Sequence, residues 1–328
     1  MLSFLNFLVL AFFHFVPRFT TAAQFTMCQF TSQAAFLIVI VAVSMVTGWS
    51  DDDVKTARFS QAYNSVFSMI TFYFGWKLLP ASPASHELGP GQSLLWQGFS
   101  QNWRTITRMR QHYRQSLLAY YLALIFAESA ANAFTVVAVV FLDDHVGMTG
   151  SEIGIFFLVT IAFMIPGSHL GCKITHFLDP SRSWQLAMAC LIVVTIGGSA
   201  ILDQLSKEFS FVWAGCLGLL LGWFYPTEGL FFSMILPKGQ DAEFSGLFVY
   251  CTQILTWAPP LLFTGLVELD VTQTYGVWSV CIFFVIAIVL IRSVAAPTWA
   301  AILEDSQKVI LVVENEEKLE SDEKILDA

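Results

Sequence analysis

The chain reads as an all-α membrane protein that crosses the bilayer about nine times, counting one span per apolar run of roughly 20 residues. Of its 328 residues 56% are hydrophobic and only 12% charged, with a mean hydropathy of +0.65. A soluble domain carries about 25% charged residues to cover its surface, so this balance points to lipid as the solvent. The apolar runs are continuous instead of alternating residue by residue, which selects helices over a β-barrel.

Taken in order, the runs begin with Leu2 to Val16, which is short and is followed by the small residues Thr20 to Ala23. A cleaved signal has the same look, but no basic stretch precedes the apolar run, so a retained helix is expected, with the signal as the alternative. Ser32 to Trp49 and Gln61 to Leu79 follow. The polar break from Pro80 to Arg114 opens with Pro80, Pro83, Gly89, Pro90 and Gly91, which exclude regular structure. Its second half sets Leu95, Phe99, Trp103 and Ile106 at helical spacing, the pattern of a short interfacial helix inside a solvated linker. Six runs then come in one block: Leu117 to Leu142, Ile153 to Leu170, Trp184 to Leu202, Phe209 to Ile235, Phe244 to Val267 and Gly276 to Ile291. The expected organisation is an opening helical unit over 1–80, a linker over 81–116, a six-helix bundle over 117–293 and an acidic tail over 294–328. A linker followed by six helices is how the second half of a two-times-six-helix transporter is laid out.

The net charge of −9 is concentrated at the C-terminus, where nine acidic residues and three lysines follow from Glu304 onward. That tail is expected to be solvated and disordered. Basic patches suited to nucleic acid are missing, so nucleic-acid binding is set aside. In the second half, Arg104, Arg108, Arg110, Arg114, Lys173, Arg182, Lys238 and Arg292 flank one set of helix ends, and Lys207 alone the other. Cytosolic loops carry the Lys/Arg excess, so the linker and the C-terminus are expected on the cytosolic side. The six cysteines lie mostly inside apolar runs and form no CxxC pattern, which excludes a disulfide framework or a zinc site as the organising device.

An ionisable group at membrane depth costs several kcal/mol and is a functional candidate by default. Glu128 sits mid-span, with Tyr121, Asn132 and Thr135 at helical spacing on the same face and Ala127, Ala130, Ala131 and Ala133 around it. Substrate or proton binding by Glu128, with Asn132 as an amide contact, competes with a plain interhelical hydrogen-bond knot. Glu228 follows Pro226 by two residues, and that proline frees the carbonyl of Gly222. Gly222 to Gly229 therefore reads as a kinked or broken helix with a carboxylate at the break, the place where transporters bind their solutes. Gln253 and Trp257 lie one turn apart before Pro259 and Pro260, a pairing that suits a small solute or ordinary packing equally. His14 and His169 are single residues at span ends, and Gly171, Asp179 and Arg182 form a loose loop pattern. HExxH, GxSxG and Walker A motifs are missing, so the chain is read as a non-enzyme without a cofactor, and any energy for transport would come from an ion gradient.

The segment Leu236-Pro237-Lys238-Gly239-Gln240-Asp241-Ala242-Glu243-Phe244-Ser245-Gly246, with Tyr225-Pro226 upstream, resembles the vacuolar amino-acid effluxer family linked to autophagy, within the major facilitator superfamily. The resemblance rests on the Pro-Lys-Gly turn, two acidic positions and the start of the next helix, and extends more loosely from Gln61 to Ile291. It departs at Ser245, where the family has an aromatic residue, at Phe248, where it has a tyrosine, and at Glu128, where it tends to have an aspartate. It implies a partial major-facilitator bundle without the family's opening helices, and Pro226, Pro237, Lys238, Gly239, Glu243 and Gly246 as a gating or structural loop motif. It also implies export of neutral amino acids from a vacuole- or lysosome-like compartment, with Glu128 or Glu228 as proton-coupling candidates. The partners expected are the lipid bilayer and a small solute. A shortened, non-transporting membrane partner or scaffold, and a facilitator for another solute, are the alternatives. In either case the polypeptide should stay with membranes through a carbonate wash, and release into the soluble fraction would overturn the membrane reading.

Overall fold

A computed structural model of the chain describes residues 18–48, 53–78, 115–202, 207–235 and 241–293. The regular elements described are all helices: α1 (Arg18–Thr47), α2 (Asp53–Leu78), α3 (Gln115–Val140), α4 (Gly150–Phe177), α5 (Pro180–Leu202), α6 (Phe209–Ile235), α7 (Asp241–Gln253), α8 (Ala258–Glu268) and α9 (Gln273–Ser293). Seven stretches of the described residues are long and apolar enough to cross a membrane, with α7 and α8 counted as one. α2 forms where a span was expected but begins eight residues earlier, and polar residues such as Ser60, Gln61, Asn64 and Ser65 make it too weakly apolar to join that set. The expected first span, most of the linker, the acidic tail and the turn Pro237, Lys238 and Gly239 lie outside the described residues.

Lipid tails are as apolar as leucine, so membrane helices associate through close van der Waals contact and internal hydrogen bonds. The tightest contact is between α4 and α6. Gly167 and Gly171 on α4 and Gly218 and Gly222 on α6 are each spaced four apart, so each pair lines one helix face. A Cβ at Gly167 would strike the carbonyl of Leu219, one at Gly218 the carbonyl of Thr160, and one at Gly222 the carbonyl of Met164. The two backbones therefore touch directly, an approach that only glycine permits.

Hydroxyls reinforce this seam toward the basic-flanked end. Thr175 on α4 bonds Ser183 on α5 at 2.7 Å and Thr227 on α6 at 3.1 Å, and the Trp223 indole donates to Ser183 Oγ at 3.0 Å. All four side chains are buried, so each polar group has its partner inside the protein. On the other side of α5, the Trp278 indole of α9 donates to Ser199 Oγ at 2.9 Å. α1 lies along α4 and reaches α6 through Phe30, which is buried and sits 6.2 Å from the Tyr225 ring. α2 packs on α1, for instance through Phe36 and Tyr63, and leaves Met69, Phe72 and Trp76 exposed on its outer side.

At the end of α3 the chain widens into a π-turn over Phe141–His145 and stops at Gly147, whose φ of +67° suits glycine. Thr149 then caps α4 in a reciprocal pair with Glu152, and Lys207, the lone cation of its face in the sequence, donates to the Gly147 carbonyl.

Two expectations about breaks are corrected. α6 continues through Pro226 as one helix, so the expected break of the chain there does not occur. One missing hydrogen bond is tolerated there because the glycine seam on α4 holds the flanking turns in place. The break comes instead inside the expected span Phe244 to Val267, between α7 and α8. Pro259 and Pro260 remove two successive N–H donors, and both suit the first turn of a new helix. The chain at the break satisfies itself locally: Trp257 Nε1 donates to Ile254 O at 3.0 Å, and Thr256 Oγ1 to Gln253 O at 2.9 Å.

The seam makes a direct prediction. Gly222→Leu should destabilise the purified protein by about 1–3 kcal/mol or more, since overpacking forces the helices apart. Gly229→Ala, where a Cβ meets nothing within 4 Å, should leave the melting temperature unchanged or slightly raised. Equal melting of both variants would contradict the close α4–α6 approach.

Candidate functional site

Glu128 and Glu228, separate candidates in the sequence, meet. Glu128 lies midway along α3 and Glu228 two turns from the end of α6, and the two carboxyl groups come within hydrogen-bonding range of each other. Both are enclosed, with 6% of Glu128 and 3% of Glu228 exposed. Asn132, one turn further along α3, donates from Nδ2 to Glu128 Oε2 at 3.0 Å. Oε2 of Glu228 is buried and has no hydrogen-bond donor among the described residues.

Why these side chains converge follows from the local sequence. Four alanines, 127, 130, 131 and 133, surround Glu128 on α3 and are buried, and the helix packed most closely on α3 is α9, so the Glu128 carboxyl reaches Glu228 on α6 across a wider gap than the α4–α6 seam. On α6, Tyr225 and Glu228 are spaced three apart and therefore share a face. The titratable groups facing the pair are Tyr120 on α3 and Tyr225 on α6, with Tyr121 and Cys251 next beyond Tyr120. None of these carries a positive charge at neutral pH, so the two carboxyls have no counter-ion among the described residues. That sets the site apart from a structural ion pair, in which opposite charges offset each other.

An aromatic layer closes the site toward the basic-flanked end. The Tyr120 hydroxyl donates to the Glu228 backbone carbonyl at 3.3 Å, and the Tyr121 hydroxyl to the Phe244 carbonyl at the start of α7 at 3.1 Å. Phe231 meets Tyr120 edge-on at 4.9 Å between centroids, and Trp184 lies 5.7 Å away. α3 is thus joined to α6 and α7 by single hydroxyl bonds and ring contacts, where α4 and α6 are joined backbone to backbone.

The other candidates fall elsewhere. Tyr121 belongs to this layer, as its spacing from Glu128 implied, but Thr135 points outward. Gln253 and Trp257 flank the α7–α8 break, both exposed, and the Trp257 indole is bonded to its own chain. Gly246 is exposed on α7, and Glu243 lies in the same helix. His169 is exposed on α4, and Asp179 and Arg182 form a surface ion pair at 3.8 Å. Tyr120 and Tyr225 were not among the candidates, although the three-residue step from Tyr225 to Glu228 was a usable signal.

The chain matches the family described as "Vacuole effluxer Atg22 like" over residues 23–298. No curated protein matches it. Among solved structures it is similar to the E. coli fucose:proton symporter, with a TM-score of 0.52 and 15% identity, over 85% of this chain and 70% of that one. At that identity the likeness establishes a shared helical fold alone. Since the family match spans most of its length, the chain belongs to the vacuole effluxer Atg22-like family.

Proposed function

We propose that this protein is a secondary transporter that exports neutral amino acids from a vacuole- or lysosome-like compartment to the cytosol, coupled to protons at the Glu128–Glu228 pair. The observation that carries this reading is a pair of enclosed carboxyl groups on two different membrane helices with no cation facing them among the described residues. Such a pair does little for stability and is costly at membrane depth, so its use lies in taking up and releasing protons. The family name, with its effluxer activity, supports the direction of transport, and the fold is one that a proton symporter also uses.

In this reading the enclosed arrangement is one stage of a cycle. Water and solute reach the pair when α3 parts from α6 and α7, which requires release of the Tyr120 bond to α6 and the Tyr121 bond to α7 and leaves the α4–α6 seam intact. Rocking of helix groups around a fixed site is how inverted-repeat transporters alternate access.

The test is flux of labelled leucine in vesicles containing the full chain under an imposed pH gradient. Glu228→Gln and Glu128→Gln should each lower pH-driven flux roughly tenfold or more, the effect of about 1.4 kcal/mol. Unchanged pH-driven flux in either variant removes that residue from the coupling step.

A further inference from the structure

We propose that the Glu128–Glu228 pair holds a single proton, that Glu228 carries it, and that Asn132 is the positioning residue that places it there. The proposal rests on the reading that these two carboxyls act as one site, and it specifies how they differ.

An ionised carboxylate has acceptors only, so two carboxyls can bond each other when one of them supplies an O–H. The contact between Glu128 and Glu228 therefore contains a proton, since with no cation facing the pair among the described residues two negative charges would otherwise stand side by side in a low-dielectric interior. The hydrogen-bond partners settle which group is the donor. Glu128 Oε2 receives the Asn132 amide at 3.0 Å, so Glu128 is held as an acceptor. Oε2 of Glu228, 97% of which is enclosed, receives no donor among the described residues. A carboxylate there would be left with an unmatched buried lone pair, whereas a neutral acid tolerates it. The assignment follows: the Glu228 O–H donates to the Glu128 carboxylate, and Asn132 donates to the same carboxylate from its other side.

The remaining groups around the pair do not reverse this. The Tyr120 hydroxyl is committed to the Glu228 backbone carbonyl and the Tyr121 hydroxyl to that of Phe244. Tyr225 sits on the same helix as Glu228, and Cys251 lies on α7 beyond Tyr120. Each of these is neutral at neutral pH, so the net charge of the site is a single negative one. A site that cycles one proton in this way carries one negative charge when loaded and two when empty. The empty form is stable only with water or a solute cation alongside.

The assignment is tested by infrared spectroscopy of the purified full chain in lipid at neutral pH, reading the carbonyl stretch of protonated carboxylic acid. The wild type should show this band, and Glu128→Gln should keep it with a shifted frequency, since Glu228 retains its proton. Glu228→Gln should lose it, because Glu128 then accepts from two amides. Adding Asn132→Leu to Glu228→Gln should bring the band back, since Glu128 has lost one of those donors. A band that survives Glu228→Gln at full strength, or disappears in Glu128→Gln, overturns the assignment. An Asn132 with a merely structural role would not move the band in the double variant. Because the measurement needs no solute, the predicted pattern can stand while leucine flux fails, in which case the export reading falls alone.

Discussion

A carboxylate set against a second carboxyl group inside a membrane protein gives up its hydration without a facing cation among the described residues, so the site formed by Glu128 and Glu228 does little for folding. Placing even one ionised group at the centre of a bilayer costs about 2.5–3.5 kcal/mol on insertion scales. A bundle that contains such a pair must therefore draw its cohesion from elsewhere. The arrangement of the remaining contacts follows from that requirement.

Cohesion is concentrated at the α4–α6 seam. Glycines on both helices let the backbones meet, and a buried knot of Thr175, Ser183, Thr227 and Trp223 fastens α5 to the same unit. α6 thus belongs to a firmly held group on one side and presents Glu228 on the other. Across that second side, α3 is attached by lighter means, namely the Tyr120 and Tyr121 hydroxyls and a layer of aromatic rings. Aromatic pairs contribute about 0.5–1.5 kcal/mol each beyond their buried area. Single hydroxyl bonds contribute a similar amount, so this face separates at lower cost than the seam. The carboxyl pair sits at the boundary between a rigid contact and a separable one, which is where a proton has to be exchanged.

Much of this could be read from the residues in order. Uncharged runs located the spans, and the step from Tyr121 to Glu128 to Asn132 placed three of the site's side chains on one face of α3. What sequence spacing cannot supply is how two helices distant in the chain are turned toward each other, so Glu128 and Glu228 stood as separate candidates. The paired glycine spacings at 167/171 and 218/222 were the legible clue to the packing and went unused. Proline was weighed by its presence alone. Pro226 lies in a helix clamped by its neighbour and does not interrupt it, whereas the consecutive Pro259 and Pro260 remove two donors and do. Gln253 and Trp257, chosen for chemistry that suits a solute, turn out to border that interruption.

Direct contact between the two carboxyl groups is the claim on which the account turns, and a double-mutant cycle measures it without reference to transport. Glu128→Gln, Glu228→Gln and the double variant would be purified in the same lipid and detergent and their unfolding compared with the wild type. The account predicts a coupling of about 0.5–3 kcal/mol between the two sites, the range for residues that touch. Additivity to within about 0.3–0.5 kcal/mol, the behaviour of distant sites, would show that the carboxyls do not meet.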